Sequence, residues 1–208
     1  MRRMQKIQLT IDGCEVSVRR GTTLLEAADA VGIDVPRLCH LPGRDPRAVC
    51  RLCVVAIEGE RALVSACSTR AEQGMVVDAS GPRLRARRRV VMELVLAEHG
   101  EHGGGPCEVE LLAEELGVEQ TRFAPQPRVP SPGGSEYALV ESEACIRCDR
   151  CVRACERGVI TRKGRGPGAH LAFDEGRALS ASSCIACGDC LVVCPAGGLR
   201  LRGLFPRA

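Results

Sequence analysis

The sequence predicts an α+β chain: a small mixed sheet folded against one helix, a short helical connector, and a cysteine-dense C-terminal module. Three observations carry that prediction. Strand and helix signals alternate over about the first 80 residues, a Pro/Gly/Ser-rich stretch interrupts the chain at 124–135, and beyond it the spacing C-x2-C-x2-C-x3-C occurs twice. The expected domains are 1–80, a helical connector over 81–123, a linker over 124–136, and 137–208.

KIQLTIDGCEVSV alternates apolar and polar residues on both sides of Asp12-Gly13, a dipeptide suited to the positive φ angles of a tight turn, and reads as a β-hairpin. TTLLEAADAVG reads as a helix: Thr23 and Glu26 are spaced as a capping box, Leu24, Leu25, Ala28 and Val31 recur at helical spacing, and Gly32 is the stop. CVVAIEG and RALVSAC predict two further strands. From Pro82 to about His99 the set Leu84, Val90, Val91, Leu94 and Val95 predicts a longer helix, and EVELLAEELG a short one ending at Gly117.

Aromatic residues are scarce, with no Trp, one Tyr and three Phe, so a core must rest on Val, Leu, Ile and Ala or be stapled by something other than packing. Fourteen cysteines are the candidates: as disulfides in an oxidising compartment, or as metal ligands in a reducing one. MRRMQKIQLTIDG begins basic, but polar residues interrupt its apolar ones, so it offers no signal-peptide core. No window reaches the length of a membrane span, and a cytoplasmic protein without direct membrane insertion is expected. A net charge of +3 is too mild to argue for nucleic acid. The one basic run, PRLRARRR at 82–89, reads either as the solvated first turns of a helix or as a docking patch for an acidic partner subunit. No G-x-G-x-x-G follows a strand, so no dinucleotide site is expected.

Thiolates are soft ligands for iron-sulfur clusters, zinc or copper(I), and spacing narrows the choice. Structural zinc sites take two pairs of the form C-x2-4-C. Three cysteines at steps of three with a fourth beyond, repeated, form the bacterial ferredoxin pattern, in which three local cysteines wrap one 4Fe-4S cube and the fourth ligates the other. Applied here, Cys145, Cys148 and Cys151 share a cube with Cys194, and Cys184, Cys187 and Cys190 share the second with Cys155. Pro195 matches the usual C-P ending, whereas Glu156 does not. Cys39, Cys50, Cys53 and Cys67 form a different set, C-x10-C-x2-C-x13-C, able to converge on one loop region beside the helix. Spacing alone leaves a 2Fe-2S centre and a zinc site both open there.

Taken together, GTTLLEAADAVGIDVPRLCHLPG, AVCRLCVVAIEG with SAC, and CIRCDRCVRACE with CIACGDCLVVCP resemble a known iron-sulfur region. It is shared by the large iron-sulfur subunit of NADH dehydrogenase, the N-terminal part of NAD-dependent formate dehydrogenase α subunits, and the small diaphorase subunit of NAD-reducing hydrogenases. The resemblance implies an N-terminal β-grasp 2Fe-2S ferredoxin-like domain with Cys39, Cys50, Cys53 and Cys67 as ligands. It also implies a short helical connector and a C-terminal bacterial-type 2x4Fe-4S ferredoxin domain, hence one 2Fe-2S and two 4Fe-4S clusters. The family often carries a further cluster on H-x3-C-x2-C-x5-C. In LAEHGEHGGGPCEVELL only His99 and Cys107 match its first and last ligands, so that cluster is expected to be absent and Cys107 to be a leftover thiol. Cys14 is expected to be a small buried hydrophobe, and His40, His102 and His170 to have surface or structural roles. Ala48 stands where the family commonly has Gly.

The function implied by the resemblance is an electron-transfer subunit, with no catalytic site of its own, of a multi-subunit NAD(P)-linked oxidoreductase. Its partners would be a flavin/NAD-binding subunit and a catalytic subunit of molybdenum/tungsten or hydrogenase type. The alternative is a free-standing multi-cluster ferredoxin acting as a mobile carrier, which acidic composition would favour; this chain is mildly basic. A zinc or RNA-binding module fits neither the spacing nor the lack of interleaved aromatics.

Overall fold

The computed structural model describes residues 5–103 and 106–202. The chain divides into two units, Met1–His40 with Pro46–Met92, and Leu41–Asp45 with Glu93–Ala208. In the first, β1 (Lys6–Ile11) and β2 (Cys14–Arg19) pair antiparallel, with Ile11 opposite Cys14. Asp12 and Gly13 turn between them at φ 48° and 80°, both positive as a two-residue type I′ turn requires. α1 (Leu24–Asp29) starts on the expected capping box: the Thr23 N–H donates to the Glu26 carboxylate at 2.7 Å, and the Glu26 N–H donates to the Thr23 hydroxyl at 3.2 Å. Gly32, at φ 75°, ends it.

β3 (Val54–Ile57) and β4 (Val64–Ser65) are the two expected strands. A fifth, β5 (Val76–Asp78), escaped sequence reasoning because three residues are too few for alternation to show. It occupies the middle of the sheet, in the order β2-β1-β5-β3-β4, parallel to β1 and antiparallel to β3. The core sits between this sheet and α1, built from Ile7, Leu9, Ile11, Val16, Leu24 and Leu25 with smaller neighbours. Cys14 is exposed rather than buried: it shares strand parity with Val16 and Val18, but its place beside the turn leaves it in solvent.

α2 (Pro82–Glu98) carries the basic run. Arg83, Arg85, Arg87 and Arg89 are exposed, as a solvated helix face requires. Arg88 points inward and is buried, its Nε donating to the Leu52 carbonyl at 3.1 Å and its Nη2 to the Val54 carbonyl at 2.8 Å.

The second unit adds the expected short helix, α3 (Glu108–Glu115), and then two similar halves. The first runs β6 (Ala138–Val140), a cysteine loop, α4 (Arg150–Ala154) and β7 (Ile160–Lys163). The second runs β8 (His170–Phe173), a cysteine loop, α5 (Asp189–Val192) and β9 (Leu199–Leu201). β6 pairs with β9 and β7 with β8, both antiparallel. Residues 124–135, expected to be a linker, hold no helix or strand, yet they are fastened to this unit. Ser131 N–H donates to Ser142 Oγ at 2.7 Å, the Gly133 carbonyl accepts from Leu179 at 2.9 Å, and Arg128 donates to the Cys145 carbonyl.

Candidate metal centres

In the first unit, Cys39, Cys53 and Cys67 are buried and Cys50 half-buried, on loops flanking β3 and β4. The four sulfurs meet: Cys50 and Cys67 hydrogen-bond to Cys39, and Cys67 to Cys53. Hydrogen bonds from the Cys50 and Cys67 thiols hold Cys39 well below the usual thiol range, and the same bonds push Cys50 and Cys67 up. The cause is mutual: four sulfurs this close share protons and do not all ionise without cations between them. The backbone contributes as well, with the N–H groups of Cys50 and Val49 directed at the Cys39 sulfur. Ala48 and Arg51, at φ 53° and 55°, give the loop the left-handed turns on either side of Cys50. Behind it stands Arg88, which binds the carbonyls on both sides of Cys53.

In the second unit, the two cysteine loops repeat one another in their backbone conformation. Arg147 and Ala186, each two residues after the first cysteine of its half, have φ 56° and 54°. That left-handed turn aims the Arg147 N–H at Cys145 Sγ and the Ala186 N–H at Cys184 Sγ, both at 3.4 Å. Asp149 and Gly188, at φ 60° and 86°, then start α4 and α5. The Asp149 carboxylate is held by Arg162, whose Nε donates at 2.9 Å.

The fourth cysteine of each half crosses over, and strand pairing is the reason. Cys194 precedes β9, which pairs with β6, the strand that leads into the Cys145 loop. Cys145, Cys148, Cys151 and Cys194 accordingly line one cavity, with Ile146, Leu171 and Leu199 as apolar walls. Cys155 precedes β7, which pairs with β8, the strand that leads into the Cys184 loop. Burial pushes the Cys190 thiol up to about 11, and Cys184, Cys155 and Cys187 beside it push in the same direction. Burial also pushes Cys148 up to about 12 and Cys151 well above the ordinary value. Glu156, at the position where the pattern usually has proline, instead pairs with Arg44 at 2.8 Å.

Soft sulfur donors gathered in fours, buried at Cys39, Cys53, Cys67, Cys148 and Cys151 and exposed at Cys184 and Cys187, with none in a disulfide among the described residues, fit iron-sulfur clusters. Sequence reasoning passed over Arg88, hidden in a basic run. It also gave no ligand role to His102 and Glu110, yet His102 stands within 4.8 Å of ligand atoms of His99, Cys107 and Glu110. The paired i, i+3 spacings 99/102 and 107/110 were the available signal.

Residues 4–81 match the family model of a 2Fe-2S iron-sulfur cluster binding domain, and residues 144–198 that of a 4Fe-4S dicluster domain. The chain is 34% identical over 184 residues to a subunit of the NADH-quinone oxidoreductase of Streptomyces coelicolor, covering 78% of this chain and 22% of that protein. It is 30% identical over 180 residues to the gamma chain of the NAD-reducing hydrogenase HoxS of Cupriavidus necator, covering 81% of this chain and 76% of that protein. A chain in the crystal structure of an NAD+-reducing NiFe hydrogenase in the H2-reduced state matches with a TM-score of 0.85 at 28% identity, over 96% of this chain and 88% of that one. Fold and sites together define an iron-sulfur protein with one 2Fe-2S domain and one two-cluster 4Fe-4S domain. The chain belongs to the iron-sulfur subunit family shared by NADH dehydrogenase, formate dehydrogenase and NAD-reducing hydrogenase. It spans 22% and 19% of the length of the two NADH-quinone oxidoreductase relatives from Streptomyces coelicolor and Rhizobium meliloti, a small part of each.

Proposed function

We propose that this chain is the electron-transfer subunit of a multi-subunit NAD(P)-linked oxidoreductase of the formate dehydrogenase, hydrogenase or NADH dehydrogenase type. It relays single electrons between a flavin/NAD-binding subunit and a catalytic subunit of molybdenum/tungsten or hydrogenase chemistry, in the cytoplasm. No helix among the described residues is long and apolar enough to cross a membrane. Cys39, Cys50, Cys53 and Cys67 hold the 2Fe-2S cluster. Cys145, Cys148, Cys151 and Cys194 hold one 4Fe-4S cluster, and Cys184, Cys187, Cys190 and Cys155 the other. The observation that carries this reading is the crossing of Cys194 into the cavity of the first cysteine loop.

The clusters supply one-electron capacity, with charge spread over several iron and sulfur atoms. The chain's own part is to hold and tune: N–H groups aimed at sulfur, such as those of Arg147 and Ala186, raise a reduction potential, and burial sets it further.

Protein purified without oxygen should contain about ten iron atoms per chain, from one 2Fe-2S and two 4Fe-4S centres, and give paramagnetic signals on reduction. Affinity capture from the native host should bring a flavoprotein and a catalytic subunit in fixed ratio. Stoichiometric zinc in place of iron at the twelve cysteines overturns the cluster reading. Recovery as a lone monomer overturns the subunit reading in favour of a mobile carrier.

A further inference from the structure

Between α2 and α3, four side chains that the twelve cluster cysteines do not include converge on one point. Ligand atoms of His99, His102, Cys107 and Glu110 all lie within 4.8 Å of one another. Cys107 Sγ is 3.4 Å from His99 Nε2, and His102 Nε2 is 3.5 Å from Glu110 Oε1. A tetrahedral zinc site with its usual bond lengths needs ligand-ligand separations of roughly 3.3–3.6 Å. Two edges of that tetrahedron are thus already at length, and the others lie within 4.8 Å.

The surroundings prepare these atoms for a cation. The His99 Nδ1 lies 3.0 Å from the Ala144 carbonyl, which only accepts, so Nδ1 carries the hydrogen and Nε2 turns its lone pair inward. The His102 side chain is 6% exposed, and its Nε2 makes no hydrogen bond. A buried donor atom left in that condition is costly unless something binds it. Its ring is backed by Gly197, where a Cβ would come within 3.1 Å of Nδ1. The second oxygen of Glu110 accepts the Cys107 N–H at 2.9 Å, which fixes the carboxylate's direction.

We infer that His99, His102, Cys107 and Glu110 form a closed mononuclear site for a zinc-class divalent cation, structural rather than catalytic because all four positions come from protein. It ties the residues that follow α2 to the start of α3, where His99 already meets the Ala144 carbonyl. Two nitrogens, one sulfur and one oxygen suit zinc, and one thiolate is too few to hold a cubane in the manner of the cysteine loops.

Metal analysis and zinc K-edge X-ray absorption on the anaerobically purified full chain test this. The expected result is about one zinc per chain beside the iron, with one sulfur scatterer at about 2.3 Å and three nitrogen or oxygen scatterers at about 2.0–2.1 Å. The double variant His102→Ala/Glu110→Gln, and separately Cys107→Ser, should lose at least tenfold in zinc affinity while iron content and the paramagnetic signals stay unchanged. Those signals report the cluster reading independently of the zinc. The site is overturned by zinc below a tenth of an equivalent after dialysis against zinc, by an all-sulfur zinc shell, by zinc content indifferent to both variants, or by a further iron-sulfur signal that Cys107→Ser abolishes.

Discussion

The two units use cysteine in opposite ways. In the first, the core of seventeen buried residues among those described, Ile7 through Ala79, includes two cysteines, Cys53 and Cys67, and the cluster loops lie at its edge. In the second, the core around Phe173 has eight buried residues, and four of the seven partly buried residues packed against it are Cys145, Cys155, Cys190 and Cys194. The first unit coheres by apolar burial and carries a metal site; the second needs its metal sites to cohere. Around Phe173 cysteines stand where apolar neighbours would otherwise complete the core, so that core buries little apolar surface of its own and bound metal supplies part of its cohesion.

The largest test of that contrast is iron removal. Chelation under reducing, oxygen-free conditions should abolish amide-exchange protection in β6–β9, while β1, β3 and β5 stay protected. Loss of protection in both units together would break the contrast.

Core truncations sharpen it. Leu25 and Phe173 are both completely buried. Leu25→Ala should cost about 2–5 kcal/mol, and Phe173→Ala about 3–5 kcal/mol. The outcomes should differ in kind: Phe173→Ala should release iron from the 4Fe-4S centres with the 2Fe-2S signal intact, and Leu25→Ala should lower the denaturation midpoint of the first unit without changing 4Fe-4S iron.

A step smaller, Arg88→Met leaves the Leu52 and Val54 carbonyls without their buried donor, which should cost about 1–3 kcal/mol. The loss should be confined to the 2Fe-2S signal, since Arg88 flanks Cys53 alone among the cluster loops; reduction of the 4Fe-4S signals would count against this assignment.

The smallest effects are local. Thr23→Ala should cost about 1 kcal/mol by removing the helix cap. Glu26 is held below the usual carboxylate range, chiefly by the Thr23 N–H, so its part in the capping box is complete above the ordinary glutamate pKa and fades as pH falls through the lowered value. Thr23→Ala keeps the backbone N–H but loses the hydroxyl that donates to the same carboxylate at 2.9 Å, so its penalty should shrink in acid, measured by denaturant midpoint against pH. Ala48→Gly should stabilise the first unit by about 0.5–1 kcal/mol, because the left-handed strain of Ala48 is relieved at the cost of only some chain entropy.

Whatever depends on neighbours along the chain was legible in advance: the Asp12-Gly13 turn, the Thr23–Glu26 box, α2 and α3, and the grouping of three cysteines in each ferredoxin half. These are set by residues within a turn or two of one another, whose geometry covalent spacing constrains. What the chain alone left unread depends on distant segments meeting. β5 is too short to announce itself and is a strand because β1 and β3 lie on either side of it. Arg88 resembles its exposed neighbours and is buried because the Leu52 and Val54 carbonyls face it. The stretch at 124–135 has a linker's composition but finds hydrogen-bond partners in Ser142, Leu179 and Cys145. The same holds for the two matched cysteine loops: Ile146 is 9% exposed and its counterpart Ile185 61%, although their backbones agree. By itself the sequence determined which residues are competent to turn, cap or ligate. Only the tertiary structure decided which of them are buried and what they meet, as with His102 and Glu110, because desolvation and contact belong to the surroundings that the rest of the chain builds.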